Sequence, residues 1–302
     1  MITPQNGIFA QGTHAHYFLE LDILPGVTPK QALASLAALR EPDVSAGGVN
    51  FVIAFGPDFW KAIAPTQVPP DLAPFPNIRR ADLPADVPSP AKHHDAWLWF
   101  SGSTPDVVFE HARIAWLSVQ DVCSLESEQP AFVYKDSRDM TGFIDGTQNP
   151  TPLEAPNVAL IPTGQVGGGG SHVLVMRWVH NLEAFHALPV EEQERIIGRK
   201  KADSAALSTE ERHPTGHLAR VQIDDAEGKE IEIYRRSVPY GTVKEHGLYF
   251  VAFSAEQKRF LMMLGNMSGT ADGQHDRLTD FSRPVSAAFY FAPSLTTWRG
   301  CT

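Results

Sequence analysis

The fold of this chain is decided within residues 17–56, where two apolar segments enclose a helical one. These segments are YFLELDI at 17–23, PKQALASLAALR at 29–40 and NFVIAFG at 50–56. The first and third are rich in β-branched and aromatic residues, which is typical of strands. The second has helical composition and period, with a proline at its first position. The sequence therefore predicts the order strand, helix, strand.

The same alternation continues along the rest of the chain. DAWLWFS at 95–101 predicts a strand, and residues 105–119 predict a helix with apolar side chains at helical spacing. Each half then has the pattern of a split βαβ unit, which indicates an internal structural duplication. In the C-terminal half, strands are predicted at 171–179, 230–235, 247–253 and 285–292, and helical regions at 182–198, interrupted by Pro189, and at 254–264.

Composition and charge narrow the class of protein. The chain has 302 residues, of which 43% are hydrophobic and 20% charged, and this excludes disorder, collagen and coiled coil. Its net charge of −10 argues against binding to the phosphates of a nucleic acid. No apolar run approaches the ~18 residues that cross a bilayer, so no membrane association is expected.

The cysteines and the first residues bear on the cellular compartment. Cys123 and Cys301 are the only cysteines, and they lack the spacing of a disulfide framework or of a metal site. The opening MITPQNG has no basic stretch followed by an apolar segment. We therefore expect a reducing compartment and a cytoplasmic location, provided that no export signal has been removed.

Two other patterns are weak candidates for functional sites. Four glycines at 167–170 precede a predicted strand and lack the Gly-Lys-Ser/Thr ending of a phosphate loop, so nucleotide binding is not expected. His180 and His186 resemble a zinc-binding pair. Six residues along a helix separate their directions by about 240°, however, so they do not face one ion and are expected on the surface.

Three segments of the C-terminal half carry the residues best suited to chemistry. GFIDGTQNP at 142–150 places Asp145 between glycines in an irregular loop, a pattern that is also typical of a turn or a helix cap. HPTGHLARV at 213–221 contains His217, which taken singly also fits a turn. Arg235, in YRRSVPYG, lies at the end of a predicted strand and also fits a charge at a sheet edge.

In their order and spacing, these segments resemble the dye-decolorizing peroxidase family. GLYF at 247–250 and FAPSL at 291–295 extend the resemblance over most of the C-terminal half. The resemblance implies an α+β fold of two ferredoxin-like halves, duplicated split βαβ units with antiparallel sheets and flanking helices. We place these halves at 1–140 and 141–302, with haem b (iron protoporphyrin IX) in the second. The short length is similar to that of the bacterial intracellular branch of the family.

The resemblance also implies roles for individual residues. His217 would be the axial ligand of the haem iron, Asp145 the distal acid-base group and Arg235 the distal cation. Asp276 would hold the His217 ring, with Asp280 as the rival candidate. Contacts with the cofactor are implied for Ile144, Gly146, Thr147, Leu248 and Phe250, and for Arg220 beside a haem propionate.

These residue types suit peroxide chemistry on their own terms. A histidine whose second nitrogen donates to a carboxylate gains imidazolate character, which stabilises the higher oxidation states of iron. Peroxide must lose a proton from one oxygen and gain one on the other, so a single group acts first as base and then as acid. A permanently charged guanidinium stabilises the negative charge that develops on the departing oxygen.

The sequence thus predicts a peroxidase that reduces hydrogen peroxide and oxidises aromatic or dye-like small-molecule reductants. One alternative is a haem-handling protein for porphyrin binding, delivery or iron release, and another is an α+β module without haem. Catalysis is favoured because a carrier does not need an acid-base Asp paired with an Arg. We expect a homo-oligomer. Tyr240 and Trp298 are candidates for exposed oxidation sites of bulky reductants, and ordinary packing is the alternative for both.

Overall fold

The computed structural model of this chain describes residues 2–39, 48–84 and 86–301. Its strands are β1 (Ala15–Ile23), β2 (Val49–Phe55), β3 (Ala96–Gly102), β4 (Cys123–Phe132), β5 (Ser171–His180), β6 (Tyr234–Arg235), β7 (Val238–Gly241), β8 (His246–Ser254) and β9 (Ser282–Ala292). Its α-helices are α1 (Pro29–Ala37), α2 (Pro57–Ile63), α3 (Pro105–Val119), α4 (Ala155–Ala159), α5 (Leu182–His186), α6 (Val190–Ile197), α7 (His217–Val221), α8 (Gln257–Ser268) and α9 (Leu295–Gly300).

The strands form one sheet in the order β4-β1-β3-β2-β9-β5-β8-β6, with β7 also paired to β8. The N-terminal half supplies its strands in the order fourth, first, third, second. The C-terminal half repeats this order as β9, β5, β8, with β6 and β7 together in the second position. The halves meet where Phe55 pairs with Phe291. The α+β fold with two ferredoxin-like halves is confirmed.

The sheet curls so that its two halves face each other across a buried aromatic layer. Phe18 of β1 stacks on Tyr249 of β8 with ring centroids 4.0 Å apart. Strands β4 and β7, which are remote in the strand order, also lie in contact. Helices α1, α2 and α3 pack on the outer face of the N-terminal half, and α8 packs on the outer face of the C-terminal half.

A buried carboxylate joins the two halves within this layer. Glu20 of β1 is 4% exposed and accepts hydrogen bonds from the Tyr249 hydroxyl at 3.2 Å and from the Tyr290 hydroxyl at 2.9 Å. The Trp97 indole N–H donates to the same Tyr249 hydroxyl at 3.2 Å. The polar atoms of this layer therefore satisfy one another without solvent.

Local chemistry sets the helix boundaries. α1 begins with a capping box in which Thr28 and Gln31 bond each other's backbone N–H groups. It ends at Ala37, before the predicted end at Arg40, which lies outside the described residues. The predicted interruption at Pro189 is present, because that residue separates α5 from α6.

The strand predicted at 230–235 is mostly absent, and only its last two residues, β6, pair with β8. The preceding residues bond within their own loop: the Asp225 N–H donates to the Lys229 carbonyl at 2.8 Å, and the Ile231 N–H to the Ile223 carbonyl at 2.7 Å. Backbone groups already paired in this way are not available to the sheet. This part of the prediction was wrong.

No helix among the described residues is long and apolar enough to cross a membrane.

Candidate active site

A cavity of about 1330 Å³ lies between the outer face of the C-terminal half of the sheet and helices α7 and α8. This volume includes space that is continuous with solvent. Most of its wall is apolar, with Leu174 and Met176 of β5, Leu248 and Phe250 of β8, and Phe260, Met263, Leu264 and Met267 of α8.

Asp145 reaches the cavity from a short hairpin formed by residues 137–145. The Asp145 N–H donates to the Ser137 carbonyl at 3.0 Å, which closes the hairpin. Gly142 and Gly146 have φ angles of +91° and +75°, in the left-handed region that favours glycine. These two glycines therefore allow the backbone to turn on both sides of Asp145.

The electrostatic surroundings of Asp145 act in opposite directions. Burial raises the pKa of the Asp145 carboxyl above its ordinary value, while the nearby Arg235 guanidinium lowers it and the Asp139 carboxylate raises it. A hydrogen bond from the Gly146 N–H at 2.7 Å and the charge of His217 lower it further. The net shift is upward, so Asp145 holds a proton more readily than a solvated aspartate.

Arg235 is positioned by the side chain of Asn149, a residue whose role the sequence analysis missed. The Asn149 amide donates to the Arg235 carbonyl and accepts from the Arg235 N–H, both at 2.8 Å. This Asn149 clamp ties the loop after Asp145 to β6. No carboxylate of the described residues lies within 4.0 Å of the Arg235 guanidinium. Asp145 and Arg235 thus face the same cavity without bonding each other.

His217 enters the cavity as the first residue of α7. Its Nδ1 lies 2.7 Å from Oδ2 of Asp276, which is fully buried. Because Asp276 occupies Nδ1, Nε2 is the ring nitrogen that remains for a ligand. Asp280, the rival candidate, instead accepts from Arg80 at 2.7 Å.

The structure brings most of the predicted site residues together. Ile144, Gly146, Thr147, Leu248 and Phe250 line the same cavity as Asp145, His217 and Arg235.

Arg220 is the exception, because it is not among the residues that line the cavity. Its guanidinium donates to both carboxylate oxygens of Asp272, at 2.8 and 2.7 Å, and to the Asn266 carbonyl of α8. Arg220 therefore fastens α7 to α8 and to the loop that follows α8. The structure provides no contact for it with a group in the cavity.

A different arginine lines the cavity and was missed. Arg199 has no carboxylate within 4.0 Å among the described residues, and its Nη1 donates to the Ser204 carbonyl at 2.8 Å. Burial and the Arg235 charge lower the pKa of Arg199. A partly buried guanidinium without a carboxylate suits an anionic group of a ligand.

Asp139 and His180 also line the cavity, which corrects the expectation that His180 lies on the surface. His180 is the last residue of β5 rather than part of a helix, and its side chain is 6% exposed. Its Nε2 lies 3.2 Å from Oδ1 of Asp139. His186 is exposed, as expected, with Nε2 at 3.2 Å from the Thr141 carbonyl oxygen.

Tyr240 and Trp298 do not have the exposure that was expected of oxidation sites. Each is 2% exposed. Tyr240 lies on β7, and Trp298 packs from α9 against Phe55. Neither ring is accessible to a bulky reductant.

These features fit a haem. The cavity offers an apolar wall for a macrocycle, one free imidazole nitrogen for an axial position and a guanidinium for a carboxylate substituent. The described residues contain no group of three or more His, Cys, Asp or Glu side chains that could hold a metal ion.

The chain matches one peroxidase family along nearly its whole length. Residues 5–133 match the family described as Dyp-type peroxidase, N-terminal, and residues 136–297 match Dyp-type peroxidase, C-terminal. A dye-decolorizing peroxidase of Rhodococcus erythropolis strain PR4 is 32% identical over 261 residues, which cover 83% of this chain and 74% of that protein. A deferrochelatase of Yersinia pestis is 23% identical over 243 residues, which cover 66% of this chain and 53% of the relative.

Solved structures show the same similarity. A dyp-type peroxidase protein from Shewanella oneidensis superposes with a TM-score of 0.91 at 32% identity and covers 99% of each chain. A variant of DypB from Rhodococcus jostii RHA1, in complex with haem, superposes with a TM-score of 0.87 at 27% identity and covers 95% of each chain.

Proposed function

Because the chain belongs to the Dyp-type peroxidase family and is therefore a haem-dependent peroxidase, we propose that Asp145, Arg235 and His217 form its peroxide-reducing site. The observation that carries this proposal is the arrangement of polar groups in the cavity. Asp145 and Arg235 face it without bonding each other, and His217 faces it with only Nε2 free.

Haem, when bound, supplies the iron that binds hydrogen peroxide and the capacity to hold its oxidising equivalents. Asp145 takes a proton at its carboxylate from one peroxide oxygen and returns it to the other, which leaves as water. Arg235 stabilises the negative charge on the departing oxygen. Asp276 accepts a hydrogen bond from Nδ1 of His217, which fixes the ring and increases the basicity of Nε2.

The same cavity supports an assignment of the haem-binding residues. Ile144, Gly146, Thr147, Leu248 and Phe250 contact the macrocycle in this proposal, together with the apolar face of α8. Arg199 replaces Arg220 as the partner of a haem propionate, because Arg199 faces the cavity while Arg220 is engaged by Asp272. The haem-binding domain is then the half at 141–302, and residues 1–140 form the other.

The test is rapid mixing of the ferric protein with hydrogen peroxide across pH. Asp145→Asn and Arg235→Leu should each slow the reaction by ~10²–10⁴-fold. The Asp145 variant should also change the shape of the pH profile, whereas the Arg235 variant should lower its height. Arg177→Leu, on the partly exposed part of β5, is the control. Wild-type rates for Asp145→Asn at every pH would remove the acid-base role.

Haem handling is the second candidate function, supported by the similarity to the deferrochelatase. The Asp145 and Arg235 pair favours peroxide reduction, since porphyrin transport or iron release does not require an acid-base group beside a fixed cation. Incubating the loaded protein without peroxide and following release of free porphyrin separates the two. Porphyrin release that survives in Asp145→Asn would support haem handling.

The reductants in this proposal are aromatic or dye-like small molecules, and the protein is a cytoplasmic homo-oligomer. Exposed apolar side chains on α3 support self-association: Phe109, Ile114 and Leu117 are 48%, 53% and 45% exposed. The two free thiols, Cys123 and Cys301, are consistent with a reducing compartment. Light scattering of wild type and Ile114→Glu tests the oligomer, and fractionation of cells tests the location.

A further inference from the structure

The hairpin that carries Asp145 places a second carboxylate on the same face. Arg138 and Ile144 form a bridge, and the Asp139 N–H donates to the Phe143 carbonyl at 2.9 Å. Residues adjacent to a paired position in an antiparallel ladder point to the opposite face from that pair. Asp139 and Asp145 therefore point together away from Arg138, and both line the cavity. Diagonal neighbours in such a ladder lie roughly 7–8 Å apart.

Asp139 is held by a network that reaches two strands of the sheet. Its Oδ2 accepts from the Thr141 N–H at 2.9 Å and from the Thr141 hydroxyl at 2.5 Å. Its Oδ1 lies 3.2 Å from Nε2 of His180 on β5, and Nδ1 of His180 lies 2.8 Å from the Ser282 hydroxyl on β9. With a proton on Nε2, His180 donates to Asp139.

This network keeps Asp139 charged inside the cavity. Burial by itself raises the pKa of the Asp139 carboxyl, but the hydrogen bond and charge of His180 and the two bonds from Thr141 bring it below its ordinary value. The pKa values of the two hairpin carboxyls are thus shifted in opposite directions. The pKa of the Asp139 carboxyl lies below its ordinary value, while that of the Asp145 carboxyl lies above it.

We propose that Asp139, held by His180 and Thr141, is a positioning residue for proton transfer. Its fixed negative charge opposes Arg235 and so sets the pH range in which Asp145 takes up the peroxide proton. The charges that act on Asp145 are those of Arg235 on β6, His217 on α7 and Asp139 on its own hairpin. Arg199 and His180 also line the cavity. This inference rests on the role proposed for Asp145.

The variant that tests it is Asp139→Asn, which removes the charge while its single amide oxygen can still accept from Thr141. Its amide NH2 can donate to Nε2 of His180 when that ring carries its proton on Nδ1. Removing a nearby negative charge lowers the pKa of Asp145, so Asp145 becomes ionised at lower pH. The rate of peroxide reaction falls on the acid side of its pH profile, and we call this part of the profile the acid limb. In Asp139→Asn, the acid limb should move to lower pH by about one unit. Asp139→Glu keeps the charge, and its acid limb should stay near that of wild type.

Asp136→Asn is the matched control. Asp136 lies on the same segment and bonds Arg138 at 2.9 Å, but it is 66% exposed and does not line the cavity. Solvent screens its charge, so its removal should leave the acid limb unchanged. An equal shift in Asp136→Asn and Asp139→Asn would overturn the inference, since it would reflect overall charge.

Infrared titration of the loaded protein supplies a readout that does not depend on turnover. The carbonyl band of protonated Asp145, identified by its loss in Asp145→Asn, should titrate at lower pH in Asp139→Asn. A band that titrates at the wild-type pH overturns the inference, whatever the kinetics show. An acid limb that persists in Asp145→Asn overturns the role proposed for Asp145 itself. In that case the infrared titration still decides whether Asp139 controls the ionisation of Asp145.

Discussion

At the scale of single residues, the Asp276 carboxylate controls the orientation and basicity of the His217 ring. Asp276 is fully buried, and its second oxygen accepts from the Leu278 N–H at 2.9 Å, so its orientation is fixed. In Asp276→Asn, we expect haem to remain bound while the iron becomes easier to reduce, since the ligand loses imidazolate character. Activity should fall ~10–100-fold. Redox titration measures the change, and Asp280→Asn is the control. A larger change in the control would reverse the assignment.

Asp145 also affects stability. Its folded pKa lies above its unfolded value, so ionisation costs more in the folded protein. Above the folded pKa, the carboxylate therefore destabilises the fold, and below the unfolded pKa this effect disappears. We expect Asp145→Asn to raise the melting temperature at pH 7, with a difference from wild type that closes as the pH falls towards ~4. Thermal unfolding at several pH values tests this, and a lower melting temperature at pH 7 would contradict it.

At the scale of elements, β6 is too short to position itself. It has only two residues, and the Asn149 clamp holds its backbone against the loop of Asp145. Asn149→Ala removes both hydrogen bonds and should cost ~1–3 kcal/mol of unfolding free energy. We expect the rate of peroxide reaction to fall while haem content is kept. Asn157→Ala, exposed on α4, provides the comparison. Unchanged kinetics in Asn149→Ala would show that Arg235 needs no clamp.

A site residue could be predicted from the sequence where its role depends on residues close to it in the chain. Asp145 sits in a turn that its own glycines predict, and the order and spacing of this segment relative to those of His217 and Arg235 indicated the site. The stripe at Phe260, Met263, Leu264 and Met267 follows the i, i+3, i+4, i+7 spacing. The helix was predicted at 254–264, however, so the last residue of this stripe was not included.

Other parts of the site arise from contacts between distant segments. Asp139 and His180 are 41 residues apart and meet only when β5 packs beside the hairpin. Arg199 and Arg220 could not be told apart as partners of a haem carboxylate, because the choice depends on the contact between Arg220 and Asp272. The strand predicted at 230–235 failed for a local reason, because residues 223–231 bond to one another instead of to the sheet.

At the scale of the whole molecule, Glu20 links the two halves of the sheet. Glu20→Leu leaves the Tyr249 and Tyr290 hydroxyls buried without this acceptor, at ~1–3 kcal/mol for each unsatisfied group. We expect a loss of a few kcal/mol in unfolding free energy and a transition that remains single. Glu128→Leu removes the acceptor of the exposed Tyr17 hydroxyl at 2.8 Å and should change stability by less than ~0.5 kcal/mol. Equal losses in both variants would contradict this account.

The curl of the sheet has a consequence for how the protein behaves at high concentration. A strand edge with unpaired N–H and C=O groups is a template for aggregation with other chains. Here the two end regions approach each other, since β4 lies in contact with β7. Along β4, the exposed positions include Glu126, Glu128 and Pro130. Their charges repel a second copy, and the proline offers no N–H, so this edge resists growth into fibrils while the fold is intact.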